Sequence, residues 1–238
     1  MTKTSKAEII AAARDLMRDR GYAGTSMKDV ASEVGLLKGS LYSHFASKEE
    51  LVPEVLRRTR EELVAGIAPT GNWRADYQTA LDRLVAFLST NGRCVGLHLA
   101  YGLDDSTPAL KQAVGDFFRE FCAFLESLLV QGLDADLARP LALDTLLHIE
   151  GATLWRVLFD DDGPMQAART TLLAYADDLA APPPPDDVRA LLDRMLGDWR
   201  RASATERQLA TRLVAAEGDL LTVRAALAGQ IEAESCFR

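Results

Sequence analysis

The residues of this chain best suited to chemistry stand close together: Lys38, Gly39, Ser40, Tyr42, His44 and Lys48. Lysine, serine and tyrosine side chains donate hydrogen bonds to phosphate oxygens and base edges, and a glycine lets a backbone come close to a groove wall. Leu41 and Phe45, four residues apart, fall on one side of a helix predicted from about Leu37 to Phe45, which leaves Lys38, Gly39, Ser40, Tyr42, Ser43 and His44 on the other. A short, polar, basic face of this kind suits a helix lying in a DNA major groove. Lys38 or Lys48 taken singly reads as a solvated surface charge; the face as a whole carries the inference.

A second helix must hold that face in place. Thr25 and Ser26 are helix-capping residue types, with Asp29 in the first turn behind them. Met27, Val30, Ala31 and Val34 then share one side, Ala31 being small where two crossing helices approach. Gly35 is suited to the left-handed conformation that closes a helix. Upstream, Lys6 to Arg20 reads as an amphipathic helix with Ile9, Ala13, Leu16 and Met17 inward and Gly21 at its end. Downstream, Ser47 followed three residues later by Glu50 is a capping-box pattern that opens a long helix at Lys48.

The segment TSMKDVASEVGLLKGSLYSHFASKEEL, preceded by RGYAG, closely resembles the DNA-binding domain of TetR-type transcriptional repressors. Gly21-Tyr22, Thr25, Val30-Ala31, Gly35, Lys38 to Tyr42, His44-Phe45 and Ser47-Lys48-Glu49 sit in the family's order and spacing. The resemblance is specific over about residues 6–55 and weaker over the body to about residue 181. It implies an all-α chain with an N-terminal three-helix helix-turn-helix domain at 1–52 and a helical ligand-binding and dimerisation domain at 53–181; residues 182–238, read as a Pro linker and amphipathic helical extension, go beyond the family's ordinary length. It implies that the helix opened at Lys48 runs on into the body, to about Ile67. It also implies that Thr25, Ser26, Tyr42, His44 and Lys48 meet DNA beside Lys38, Gly39 and Ser40. Leu37 is a departure, since the family often has a capping serine or threonine there. The cap then comes from elsewhere, or the leucine touches a thymine methyl.

Composition agrees with a helical regulator. The 238 residues are 48% hydrophobic and only 7% aromatic, enough for a sizeable core. The net charge of -8 opposes nucleic-acid binding only as a global figure, because residues 1–58 carry ten basic against eight acidic side chains. A mildly basic head on an acidic body favours contact through the head. Cys94, Cys122 and Cys236 are too few and too widely spaced for a disulfide framework, which fits a reducing cytoplasm. No secretory leader or membrane-spanning stretch is read. His44, His98 and His148 lie outside ligand spacing of one another, and no HExxH, P-loop, dinucleotide fingerprint or nucleophile elbow occurs. The expectation is therefore no enzyme, no metal and no cofactor.

Beyond the head, helices are expected at 73–90, at about 94–103, from Pro108 to about Gly132, from about Ala138 to Phe159, and from Pro164 to about Ala180. In TetR-type proteins the last two body helices pair with their copies across a two-fold axis. Here Leu143, Leu147, Gly151, Leu154, Leu158, Leu172, Leu173 and Tyr175 would build that homodimer face, the alternative being a monomer core. The family's ligand cavity lies among the body helices, so Trp73, Tyr77, Cys94, His98, Tyr101, Phe117, Phe121, His148 and Trp155 are candidate walls for a small-molecule inducer. Cys94 stands where a helix should begin, beside Arg93, and both features favour thiolate. Its setting resembles one branch of the family that senses electrophiles or oxidants through a body cysteine; a small buried packing residue is the other reading.

The functional expectation is a repressor that binds a pseudo-palindromic operator in double-stranded DNA as a homodimer and is released by a small molecule. The alternative is a DNA-bound scaffold controlled by a protein partner through the C-terminal segment. That segment follows Pro182 to Pro185 and continues a 4-3-4-3 apolar spacing through Val188, Leu192, Met195, Trp199 and Ala202, then Leu209, Leu213, Ala216, Leu220, Val223 and Leu227.

Overall fold

The computed structural model describes residues 4–102, 107–181, 185–202, 206, 207, 210 and 211. Among these the fold is all-α, in two compact units, residues 1–173 and 174–238, whose boundary falls inside a helix.

The head is built from α1 (Lys6–Arg20), α2 (Met27–Glu33) and α3 (Lys38–Tyr42). Both of the first two helices begin with reciprocal capping boxes, Ser5 with Glu8 and Ser26 with Asp29, so two otherwise orphaned donors are satisfied at each start. Ile9, Ala13, Met17, Val30, Ala31, Leu41 and Phe45 close a core between them, each at most 3% exposed. Gly35 takes φ +67 and makes the turn into α3.

α4 (Lys48–Val64) follows, capped by Ser47 and continuous through Pro53. The expected domain boundary at 52/53 therefore lies within one helix. The Glu50 carboxylate accepts from the backbone N–H of Ala46, one residue before the cap. The body adds α5 (Trp73–Asn91), α6 (Val95–Tyr101), α7 (Pro108–Leu129), α8 (Ala135–Phe159) and α9 (Gly163–Ala180). α7 packs against α4, α5, α6 and α8, with Leu110, Val114, Phe117, Phe121, Leu125 and Leu128 buried along it. No described helix is long and apolar enough to cross a membrane.

In the C-terminal unit, α10 (Asp186–Leu196) buries Val188 and Leu192 and is followed by a single 3-10 turn, Trp199–Arg201. Arg207 donates to the Asp178 carbonyl at 3.1 Å and lies over the Trp199 ring. The later apolar positions Leu209, Leu213, Ala216, Leu220, Val223 and Leu227, and Cys236, lie outside the described residues.

Candidate functional site

The candidate DNA-reading face is α3, a helix of five residues with Leu41 fully buried beneath it. Lys38, Gly39 and Ser40 are exposed, and nothing stands within 4 Å of where a Gly39 side chain would begin. Tyr42 is 41% exposed, with the Lys38 ammonium 5.6 Å from its ring centroid. His44 is half-buried. Leu37 occupies the N-cap, provides no side-chain hydrogen bond to it and is 82% exposed. Among the described residues no side chain replaces that cap, which leaves the first N–H groups of α3 open to an acceptor.

Two residues expected to meet DNA have inward partners. Thr25 is fully buried, its hydroxyl donating to the Gly21 carbonyl at 3.0 Å, so it fixes the entry into α2 and Ser26 alone caps that helix. The Lys48 ammonium donates to the carbonyls of Tyr22 at 2.6 Å and Thr25 at 2.9 Å and stands 3.7 Å from the Tyr22 ring centroid. Burial lowers its pKa, against the opposing charge of Glu49. The Tyr22 hydroxyl in turn donates to Glu49 at 2.7 Å. Lys48 is thus a clasp between the first residues of α4 and the α1–α2 turn.

The body contains a cavity of about 710 Å³ bordered by α1, α6, α7 and α8. Leu97, Phe118, Leu146, Leu147, Leu154 and Val157 make its apolar wall. Cys94, His98, Tyr101 and Glu150 supply polar groups, and Asp19, Arg20 and Arg93 stand exposed at its rim. Of the nine expected wall residues, then, Cys94, His98 and Tyr101 meet in the cavity. Six do not line it. Trp73 lies on Gly132, where a side chain would come within 2.0 Å of the indole nitrogen. Tyr77 is buried, bonded to the Thr145 hydroxyl at 2.7 Å, and burial pushes its pKa up. Phe117 fills the space over Gly96, within 2.8 Å of an added side chain, and its neighbour Phe118 faces the cavity instead. Phe121 is buried on the α7 core stripe. His148 is exposed and bonded to the Asp144 carbonyl, while Trp155 stacks on Phe159 and donates to Asp161.

Glu150 escaped the sequence reading. It sits mid-helix on α8, its Oε2 is buried without a hydrogen-bond partner among the described residues, and the Cys94 thiol bonds to its carboxyl. Burial pushes its pKa up to about 7, the Cys94 hydrogen bond pulling the other way. The thiolate expectation for Cys94 is corrected by the same pair. Cys94 does cap α6, its sulfur accepting from Leu97 N–H at 3.5 Å, but burial and the adjacent Glu150 push the thiol's pKa well above the ordinary value.

One cavity residue reaches the head. His98 Nδ1 bonds to the Arg18 carbonyl near the end of α1, which requires its proton on that nitrogen. Arg18 also donates to Asn91 at 2.7 Å, and Gly102 lies against Tyr22. Cavity, α6, the end of α1, Tyr22 and Lys48 are therefore successive contacts.

α8 also carries an exposed apolar face. Leu143, Leu147, Leu154 and Leu158 are 49%, 59%, 63% and 61% exposed, and Gly151 among them has open space around it. Leu172 and Leu173, expected on the same face, are buried in α9 instead.

A sequence profile described as bacterial regulatory proteins, tetR family, matches residues 9–55. The HTH-type transcriptional repressor KstR2 of Mycolicibacterium smegmatis is 48% identical over 50 residues, 21% of this chain and 24% of that protein, so the match spans about a quarter of that relative. The HTH-type transcriptional activator FasR of the same organism is 28% identical over 158 residues, 63% of this chain and 71% of that protein. Among solved structures, a TetR transcriptional regulator from Legionella pneumophila superposes with a TM-score of 0.63 at 22% identity, covering 72% of this chain and 97% of that one.

Proposed function

We propose that the chain, whose residues 9–55 match the tetR-family profile, is a TetR-type repressor that binds a pseudo-palindromic operator as a homodimer and leaves it when a small molecule fills the body cavity. The observation that carries this reading is the exposed Lys38-Gly39-Ser40 face of α3, held on a buried Leu41. Lys38 and Ser40 reach base edges, Gly39 admits the groove wall, and Leu37 meets a thymine methyl. Ser26, Tyr42 and His44 set register on phosphates, while Thr25 and Lys48 act mainly by holding the α1–α2 turn.

A single helix-turn-helix contacts too little DNA for a specific site, and two copies related by a two-fold axis read two half-sites. The exposed leucines of α8 supply an apolar face for that pairing. Occupancy of the cavity shifts α6, and His98 passes the shift to the end of α1 and so to the turn that Lys48 clasps. The coupling free energy between the sites appears as lost operator affinity. Release proceeds by reversible occupancy rather than by attack of an electrophile on Cys94, because its thiol stays protonated at neutral pH.

The test is selection of duplexes from a random pool by the full-length chain. Enrichment of an inverted repeat supports the reading, and its half-site spacing reports the head separation. Enrichment of unpaired half-sites contradicts the dimer, and no enrichment contradicts sequence-specific binding.

A further inference from the structure

The inner wall of the cavity is mostly apolar, and Glu150 is the charged lining residue set back from the exposed rim of Asp19, Arg20 and Arg93. One carboxyl oxygen, Oε2, is shut off from solvent and has no hydrogen-bond partner among the described residues. The neighbouring Cys94 thiol is a weak donor and leaves that oxygen unsatisfied. A buried carboxyl in this state is costly to ionise, and the cost falls when a ligand cation pairs with the group. We propose that the cavity selects a lipophilic amine, whose ammonium group pairs with the Glu150 carboxyl while its hydrocarbon lies against Leu97, Phe118, Leu146, Leu154 and Val157. This rests on the reading of the cavity as the inducer site.

An ammonium donor is favoured over a neutral hydroxyl because a charge-assisted hydrogen bond to a carboxylate is about twice as strong as a neutral one. An anionic headgroup is disfavoured, since it would have to lie beside the Glu150 carboxyl. The positive charges at hand do not reverse this. Arg20 and Arg93 are exposed on the rim, next to Asp19, where solvent and salt screen them, and Arg93 is turned to the Asp19 carbonyl. From α6, Tyr101 is exposed and His98 directs Nδ1 to the Arg18 carbonyl; from α7, Phe118 brings no charge. Binding requires no covalent change. The amine enters as the ammonium ion, and any proton held by Glu150 passes to solvent as the ion pair forms.

The experiment is titration calorimetry of the full-length chain near neutral pH with decylamine, decan-1-ol and decanoate, which hold the hydrocarbon constant. The expected ranking places decylamine first, about tenfold or more tighter than decan-1-ol. Glu150→Gln should remove the amine preference and keep alcohol binding. The proposal is overturned if decanoate or decan-1-ol binds as tightly as the amine, if Glu150→Gln keeps the preference, or if none of the three binds. The wild-type ranking stands as a test by itself should Glu150→Gln fail to fold. A chain that selects an inverted repeat yet takes no amine loses this proposal and keeps the repressor reading. A chain that ranks the amine first and selects no duplex does the reverse.

Discussion

Lys38 and Glu150 are both charged residues on helices, placed in opposite surroundings. Lys38 stands exposed on a helix of five residues, beside the Tyr42 ring, and every group around it was brought there by neighbours in sequence. Glu150 is enclosed by segments that start at Asp19, Arg93 and Phe118, far from it in the chain. An exposed charge of this kind acts through a screened field, which suits the long, highly charged partner proposed for it. The enclosed charge sits where a single hydrogen bond counts for more, which suits discrimination among small ligands. The proposed DNA-reading face is thus built from local sequence and the proposed ligand site from remote segments, with α6 and the end of α1 between them.

The largest effect is expected from uncoupling the two copies. Leu143→Glu together with Leu158→Glu places carboxylates on the exposed face of α8, away from the cavity wall. Sedimentation should show a folded monomer, and anisotropy should show specific operator affinity lowered by about a thousandfold, toward the non-specific level. A dimer that persists would move the interface elsewhere.

The next effect belongs to Glu150. Its folded pKa of about 7 lies above the ordinary 4.5, so the folded state holds a proton that the unfolded chain releases. Stability should therefore be unaffected below pH 4.5, fall as pH rises through about 7, and level off above it. Glu150→Gln lacks this loss. Melts at fixed protein concentration should show the variant gaining roughly 3 kcal/mol over wild type at about pH 8 and nothing at about pH 4. A gain independent of pH would mean that the carboxyl does not titrate as its burial requires.

Much of this was legible beforehand, and the reason is range. Ser26 with Asp29, Ser47 with Glu50, Gly35, and Leu41 with Phe45 act within a few residues of one another, so residue type and spacing sufficed. Thr25 shows the limit even there, because whether a capping-type hydroxyl turns to the helix or to Gly21 is decided by the bend of the chain. The cavity depended on which side of each aromatic meets a partner. Phe117 and Phe118 are adjacent and both rings approach Gly96, yet the first is buried in the core and only the second lines the cavity. Glu150 gave no local sign, being a single acidic residue in an otherwise apolar stretch; its position one turn before Leu154 and one turn after Leu147 was the signal available.

Smaller substitutions sharpen the head. Lys38→Ala should cost about 1–3 kcal/mol on the selected operator and relax preference at one position in each half-site. Tyr42→Phe should weaken all duplexes alike. Lys48→Ala should do so too but also lower the melting temperature, since it removes a donor from the carbonyls of Tyr22 and Thr25. Equal losses on selected and random duplexes for Lys38→Ala would take that residue away from the base edges. The smallest effect is expected at Leu37. Leu37→Ser supplies the absent cap of α3 and should raise stability by about 0.5–1 kcal/mol in denaturant melts. An unchanged or lower stability would show that the α3 N-terminus is satisfied without it.

The account turns on the link between cavity and head, and one titration reaches it directly. A labelled duplex carrying the selected inverted repeat is held at half-saturation by the full-length chain, and anisotropy is followed as decylamine is added up to the concentration at which calorimetry shows the cavity filled. The operator dissociation constant should rise by about tenfold or more along the same curve as cavity occupancy. A filled cavity with operator affinity unchanged would contradict that link.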